Sequence, residues 1–401
     1  MKKIFLYILA FVSCWQISSA QDVAQEMKYR RSSIYSIMLK HENQKFADTI
    51  ANVFQLMPVP DKYNDHDLSV KVVSVKSKEV ASSEVESFLN KNGIASRLVS
   101  KWFNRDFTNG ACDVELIKER GLYNASEMDK SIALQTQRGR AMLEDAGEEL
   151  IGNTFVLVND ISYIDKSKGS ATAGTVIKAL GWATSLITGN DSYGDLGESV
   201  GDITETYKGF KVKIYTHLYQ LVWDEESSTT FYERMYTDEP DMEKLGAMEL
   251  YRDKFKLKYV GSQLSDGSTT SFLGIKEDEP QLMVRKACQR ALDDNVANLQ
   301  KNYEAFKVKV PLLNTEPLTA QIGKKEGITE KSRFEVLEVQ EKDGRTIYER
   351  VGVIKPVSDL IWDNRFMAIE EKAEGATLGY TTFKKVSGRN FYPGMLIREI
   401  K

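Results

Sequence analysis

Histidine and cysteine are nearly missing from this chain, three of each in 401 residues. His41, His66 and His217 lie in distant segments with no H-E-x-x-H pair and no cysteine-histidine cluster, which excludes the familiar catalytic zinc sites. G-x-S-x-G, G-x-G-x-x-G after a strand, and G-x-x-x-x-G-K-[ST] are also absent, so serine-hydrolase, dinucleotide and P-loop chemistries lose their usual sequence support. Long like-charge runs are lacking. With a formal net charge of −4 and no concentrated basic stripe, nucleic acid is excluded as a partner. No residue is assigned here as catalytic, cofactor-binding or metal-ligating, and no cofactor is expected.

What is present begins with an address. Met1-Lys2-Lys3 is a short basic start, Ile4 to Val12 is apolar, and Ser18-Ser19-Ala20 offers small residues for cleavage before Gln21, the pattern of a bacterial secretory signal over residues 1–20. The apolar run is shorter than the roughly 20 residues that span a bilayer as helix, so a cleaved leader is expected rather than an anchor. Phe11-Val12-Ser13-Cys14 loosely resembles a lipoprotein box, but Trp15 follows and Phe11 stands where leucine is preferred; cleavage near Ala20 is the better expectation. The expected location is the periplasm, the outer-membrane surface or the exterior. There Cys112 and Cys288 have the redox setting for one bridge. Cys288, however, falls on an apolar helical stripe, which favours a buried inert thiol.

Hydropathy periods predict an α+β chain: an α/β layered domain with a mixed sheet over 21–305 and a small β-barrel-like domain over 306–401. Strands are expected at Ser32 to Leu39 and at Leu68 to Val75, with Met57-Pro58-Val59-Pro60 breaking any helix between them. Glu84 to Phe103 reads as helix interrupted at Asn92-Gly93, and a helix from Ser126 to about Leu150 follows a capping-box-like start. Asn153 to Asn159 is apolar on both faces, as a central strand covered on both sides would be. A Gly-rich insertion occupies about 165–208, and within it Ala171 to Thr188 carries Lys178 as its only charge and reads as a core or interface helix.

Lys211 to Trp223 alternates cleanly, and Thr229 to Tyr236 returns with aromatics after the polar Asp224 to Ser228, so a β-hairpin is expected over 211–236. Pro280 to Tyr303 shows one apolar helical face through Val284, Cys288, Leu292, Val296, Leu299 and Tyr303. Beyond it come short alternating runs at Phe306 to Val310, Phe334 to Val339, Thr346 to Val357, Thr381 to Val386 and Met395 to Ile400. Turn signals separate them, as in a small closed β-domain.

Three groups merit weighing as sites. Asp61, Asp65, His66 and Asp67 crowd one loop, and Asp191, Asp195, Glu198 and Asp202 recur in another; calcium takes such hard oxygen ligands, yet neither loop has the EF-hand frame. His217 sits mid-strand among aromatics, where a general base needs a converging carboxylate and nucleophile that the sequence does not name. A structural histidine is the expectation.

Glu148 to Val158 followed by a Gly-rich insertion, a hairpin expected at Val212 to Tyr236 and the Ala-rich helix Arg285 to Leu292 resembles a group of Gram-negative envelope proteins. These are the curli-secretion lipoprotein family, the N-terminal domain of the Tol-system propeller protein, and the flagellar assembly T protein. Gly323 to Val336 is similar to a run in the C-terminal domain of the last, without its Gly-Asp pair. The resemblance implies a non-enzymatic assembly, docking or secretion-accessory role, with envelope proteins or self-association as partners and a peripheral association with the outer membrane. The alternative is a cell-wall or glycan enzyme, or a binding module, whose site is assembled from distant residues.

Overall fold

A computed structural model describes residues 32–76, 82–122, 147–164, 210–268, 280–342, 345–369 and 378–400. The leader, Cys14, most of the helix expected from Ser126 to Leu150, the Gly-rich insertion and the acidic group from Asp191 to Asp202 lie outside them.

In chain order the first part contains β1 (Ser33–His41), α1 (Ala47–Gln55), β2 (Asn64–Asp65), β3 (Val72–Val75), α2 (Ser82–Lys91), α3 (Ile94–Trp102), α4 (Glu115–Leu122), β4 (Thr154–Tyr163), β5 (Lys211–Leu221), α5 (Glu225–Arg234), α6 (Met242–Leu250), β6 (Leu257–Ser268) and α7 (Pro280–Asn302). The strands form a mixed sheet in the order β2-β1-β4-β5-β6, with β3 pairing the same edge of β1 farther along. Pairing is parallel from β1 to its neighbours and antiparallel across β4, β5 and β6.

Layering follows from side-chain alternation. Ile34, Met38, Phe155, Leu157, Ile161, Val212, Ile214 and Leu218 face α7 and α1, where Val284, Ala287, Cys288, Ala291, Val296 and Leu299 cover them. Tyr35, Ile37, Val156, Val158, Tyr219 and Leu221 face the other way, against Val85, Leu89, Leu98, Val99 and Trp102 of α2 and α3. Covered on both sides, β4 needs no polar face, which explains its unbroken apolar run. Gly93 at φ 57° makes the left-handed turn between α2 and α3, and Gly267 lets α7 approach β6, since a Cβ there would lie 2.0 Å from the Ala287 carbonyl oxygen.

The hairpin expected over 211–236 is a correction. β5 pairs instead with β6, while Thr229, Phe231 and Tyr232 belong to α5 and Tyr236 follows its end. The Asp224 side chain accepts from Ser227 N at 2.9 Å and Ser227 Oγ accepts from Asp224 N at 2.8 Å, a reciprocal cap that starts a helix where a turn was expected. Leu68 to Val75 is strand only over Val72–Val75, Ser69 having a positive φ of 68°. The strand expected at Phe306 to Val310 is likewise displaced: Phe306 ends a 3-10 turn and is buried in the helix-sheet core.

The remaining strands are β7 (Val310–Thr315), β8 (Leu318–Ala320), β9 (Arg333–Lys342), β10 (Arg345–Pro356), β11 (Thr381–Gly388) and β12 (Leu396–Ile400). They close into a barrel in the order β10-β11-β8-β7-β12-β9, around Leu312, Phe334, Val336, Ile354, Phe383 and Ile397. Closure leaves no free edge. The barrel is tied to α7 by Arg290, whose guanidinium donates twice to Phe366 O (3.2 and 3.0 Å), and by Lys301 Nζ, which donates to Gly327 O at 2.6 Å. No helix among the described residues is long and apolar enough to cross a membrane.

Candidate functional site

Each histidine is built into the fold. His41 Nε2 lies 2.6 Å from Asp160 Oδ1 and so joins β1 to β4. His66 Nε2 donates to Leu98 O at 3.0 Å while Nδ1 accepts from Arg120 Nη1 at 2.9 Å, which fixes one neutral tautomer. Burial, reinforced by the Arg120 charge, holds this imidazole well below the usual histidine range. Arg120 also donates to Ser33 Oγ at 2.7 Å and lies over the Trp102 ring at 4.4 Å, so it ties α4 to β1 and α3.

His217 is 1% exposed, and neither ring nitrogen has a hydrogen-bond partner among the described residues. Its ring meets Tyr215 edge-on at 4.5 Å, and the Tyr215 hydroxyl pairs with Ser262 Oγ at 2.8 Å instead. Burial lowers the His217 pKa to about 4, against a smaller upward pull from Asp160. Among the described residues no carboxylate or hydroxyl is hydrogen-bonded to this imidazole, so it forms no acid-base dyad with any of them.

The loop acids are also committed. Asp65 Oδ1 accepts from Asp67 N at 3.1 Å, Asp67 Oδ1 accepts from Ser69 N at 2.9 Å, and Asp61 lies 3.6 Å from Lys325 of the barrel. Among the described residues no group of three or more His, Cys, Asp or Glu is placed to hold a metal ion. Cys112 and Cys288 are both free and buried; burial raises both thiols, that of Cys288 to about 12.

What sequence reading missed is a lobe made from two distant stretches, the loop from Asn104 to Asp113 and the chain from Met235 to Tyr251. Arg105, though buried, is its clamp: Nη1 donates to Met235 O at 2.8 Å and Nη2 to Lys244 O at 2.7 Å. Asp241 caps α6 by accepting from Glu243 N and Lys244 N, and Asp241 N donates to Asn109 O at 2.8 Å. Beneath the lobe Phe103 and Phe231 pack at 4.3 Å, with Tyr232 and Tyr236 edge-on to Phe103. A firm base therefore supports a surface on which Phe107 is 69%, Met242 69% and Leu250 75% exposed.

That arrangement is suited to burial against another surface, because large apolar side chains on an already ordered backbone add apolar burial without a further backbone-ordering cost. Here α6 buries no residue fully, in contrast to every turn of α3. Scanned against protein-family models the chain matches none, and no curated protein matches it.

Proposed function

We propose that this is an exported, non-enzymatic protein of the cell envelope that works through protein-protein contacts, in assembly, docking or as an accessory to secretion. The observation that carries the reading is the clamped lobe with Phe107, Met242 and Leu250 exposed. The engagement of His41 and His66 in tertiary ties supports it, as does the leader-like start of the sequence. Similarity of Glu148 to Val158 and of Gly323 to Val336 to envelope assembly proteins points in the same direction. The partner is an envelope protein or a second copy, met in the periplasm or at the outer membrane.

A photo-crosslinking residue placed at Met242 or Leu250 in living cells tests this, with the exposed barrel position Lys384 as control. A discrete crosslinked product specific to the lobe positions, and lost in a Met242→Glu/Leu250→Glu double variant carrying the probe at Phe107, is the expected result. Crosslinking no greater than at Lys384, together with turnover of a cell-wall or glycan substrate by the purified protein, overturns the proposal in favour of an enzyme.

A further inference from the structure

Between α7, α1 and the Met57 to Pro60 segment lies a cavity of about 50 Å³. On the same measure one water fills roughly 10–15 Å³, so the space accepts a few heavy atoms rather than one solvent molecule. Its wall is divided by chemistry. Pro58, Val59 and Leu292 line an apolar side, while Ser36, Asn159, Gln289 and Asp293 supply the polar side.

Gln289 and Asp293 stand four residues apart on α7, one turn along the same face. Gln289 Nε2 donates to Asp293 Oδ1 at 3.1 Å. One of the two amide N–H groups is used in this way, and among the described residues Gln289 Oε1 and Asp293 Oδ2 have no partners, although the residues are only 6% and 5% exposed. With Asp293 ionised, both orphaned atoms are acceptors, so whatever completes this wall in that state must donate hydrogen bonds.

Charge gives the second constraint. Asp65, Asp67 and Lys71 stand at the lip, and Lys71 is 3.7 Å from Asp67. Lys325 acts on Asp293 but is shared with Asp61, 3.6 Å from its Nζ, and Glu326 and Asp294 add further negative charge around Asp293. Among the lining residues the carboxyl groups of Asp65, Asp67 and Asp293 meet one cation, Lys71, while Lys101 outside the lining also acts on Asp65 and Asp67. Burial, only partly offset by the Lys325 charge and the Gln289 hydrogen bond, raises the Asp293 carboxyl to about 7.

We propose that this cavity binds a small organic monocation, an alkylammonium or amidinium of a few heavy atoms. Its N–H groups donate to Asp293 Oδ2 and Gln289 Oε1, and its carbon atoms rest on Pro58, Val59 and Leu292. Neutral water satisfies the acceptors but not the charge, and an inorganic ion leaves the apolar side uncovered. The site is separate from the lobe and stands whether or not the lobe docks a partner.

Isothermal titration of the full chain with ethylammonium chloride tests it, with ethanol as a neutral analogue of similar size and sodium chloride as the salt control. Saturable one-to-one binding is expected at about pH 8, weakened roughly tenfold or more at about pH 5.5 as Asp293 takes up a proton. Asp293→Asn and Gln289→Leu each remove one anchor at similar volume and should weaken binding, the first also abolishing its pH dependence. Because Asp294 sits beside Asp293, survival of that pH dependence in Asp293→Asn would overturn the assignment. So would equal binding of ethanol, no saturation by about 50 mM ethylammonium, or a crystal soak in which water alone fills the cavity. Should Asp293→Asn fail to fold by circular dichroism, Gln289→Leu carries the same test of the anchor.

Discussion

Asn295 of α7 reaches into the sheet and donates to the Thr216 hydroxyl at 2.8 Å, and that hydroxyl donates in turn to Asn159 Oδ1 at 2.8 Å. Asn159 Nδ2 continues the chain to Ser36 Oγ at 3.0 Å, so one polar thread crosses β5, β4 and β1 beneath the helix. Apolar packing fixes the distance between helix and sheet but not their register, whereas the thread specifies both. Thr216→Val keeps the shape and removes the central link, leaving Asn159 Oδ1 unpartnered. A loss of about 1–3 kcal/mol is expected in urea unfolding, and no measurable loss would mean that the thread has no role in stability.

Arg105 makes a stronger case, because its side chain is buried and its acceptors are two main-chain carbonyls, nine residues apart, of the Met235 to Tyr251 stretch. Arg105→Ala should lower stability by about 2–4 kcal/mol, with two carbonyls left dry. Arg105→Lys should not restore it, since one ammonium cannot span both acceptors. Hydrogen exchange then distinguishes this clamp from a general core defect: faster exchange is expected first at α6 and the Asn104 to Asp113 loop. Uniform acceleration over the whole sheet would contradict a local role.

At Gly267 the helix comes so close that any side chain must displace it. A Cβ meets Ala287 O at 2.0 Å and Ala291 Cβ at 3.0 Å, and neither belongs to a flexible side chain that can swing away. Gly267→Ala should therefore destabilise by about 1–3 kcal/mol or more through overpacking. Gly246→Ala on α6, where nothing lies within 4 Å, should be neutral or slightly stabilising through helix propensity. Thermal melts of the two variants give the comparison, and similar effects at both positions would refute the close approach.

The layered core was legible where burial leaves a periodic trace. β4 is apolar on both faces because helices cover both, and the α7 stripe through Val284, Cys288 and Val296 is the face that meets the sheet. The second half of the expected hairpin was not legible from composition, because Thr229, Thr230, Phe231 and Tyr232 all favour strands. A cap formed by Asp224 and Ser227 outweighs those preferences, and it was hidden within a run that also reads as a turn. α1 was missed because its Ile50, Val53 and Phe54 occupy only about two turns before the prolines. The lobe left no local signal at all: Phe107 and Met242 are far apart in sequence, and Arg105 recognises carbonyl oxygens that every residue carries. Gln289 and Asp293 had the right spacing for a pair on one face, but only the cavity gives that spacing a meaning.

His217 allows the most direct test of these assignments, because its two unpartnered nitrogens make the wild-type residue a liability. At neutral pH, His217→Phe keeps a flat ring against Tyr215 and removes both orphans, so stability should rise by about 1–3 kcal/mol. The pH dependence has a definite sign. His217 takes up a proton near 6.5 when unfolded but only at about 4 when folded. Between those values the unfolded state holds more protons, and the wild type therefore loses stability as pH falls from 6.5 towards 4, at up to about 1.4 kcal/mol for each pH unit crossed. Asp293 acts in the opposite direction, since its folded value of about 7 lies above its ordinary 3.8: its contribution is complete below about pH 4 and is lost as pH rises through 7. His217→Phe should thus improve most on the wild type at the acid end, whereas Asp293→Asn should improve most at neutral pH and above. Urea unfolding at four pH values between about 4.5 and 7.5 measures both slopes. If the His217→Phe difference were flat across that range, the histidine would have to be protonated or hydrogen-bonded in the folded protein, and its place as an unpartnered neutral ring on β5 would be wrong.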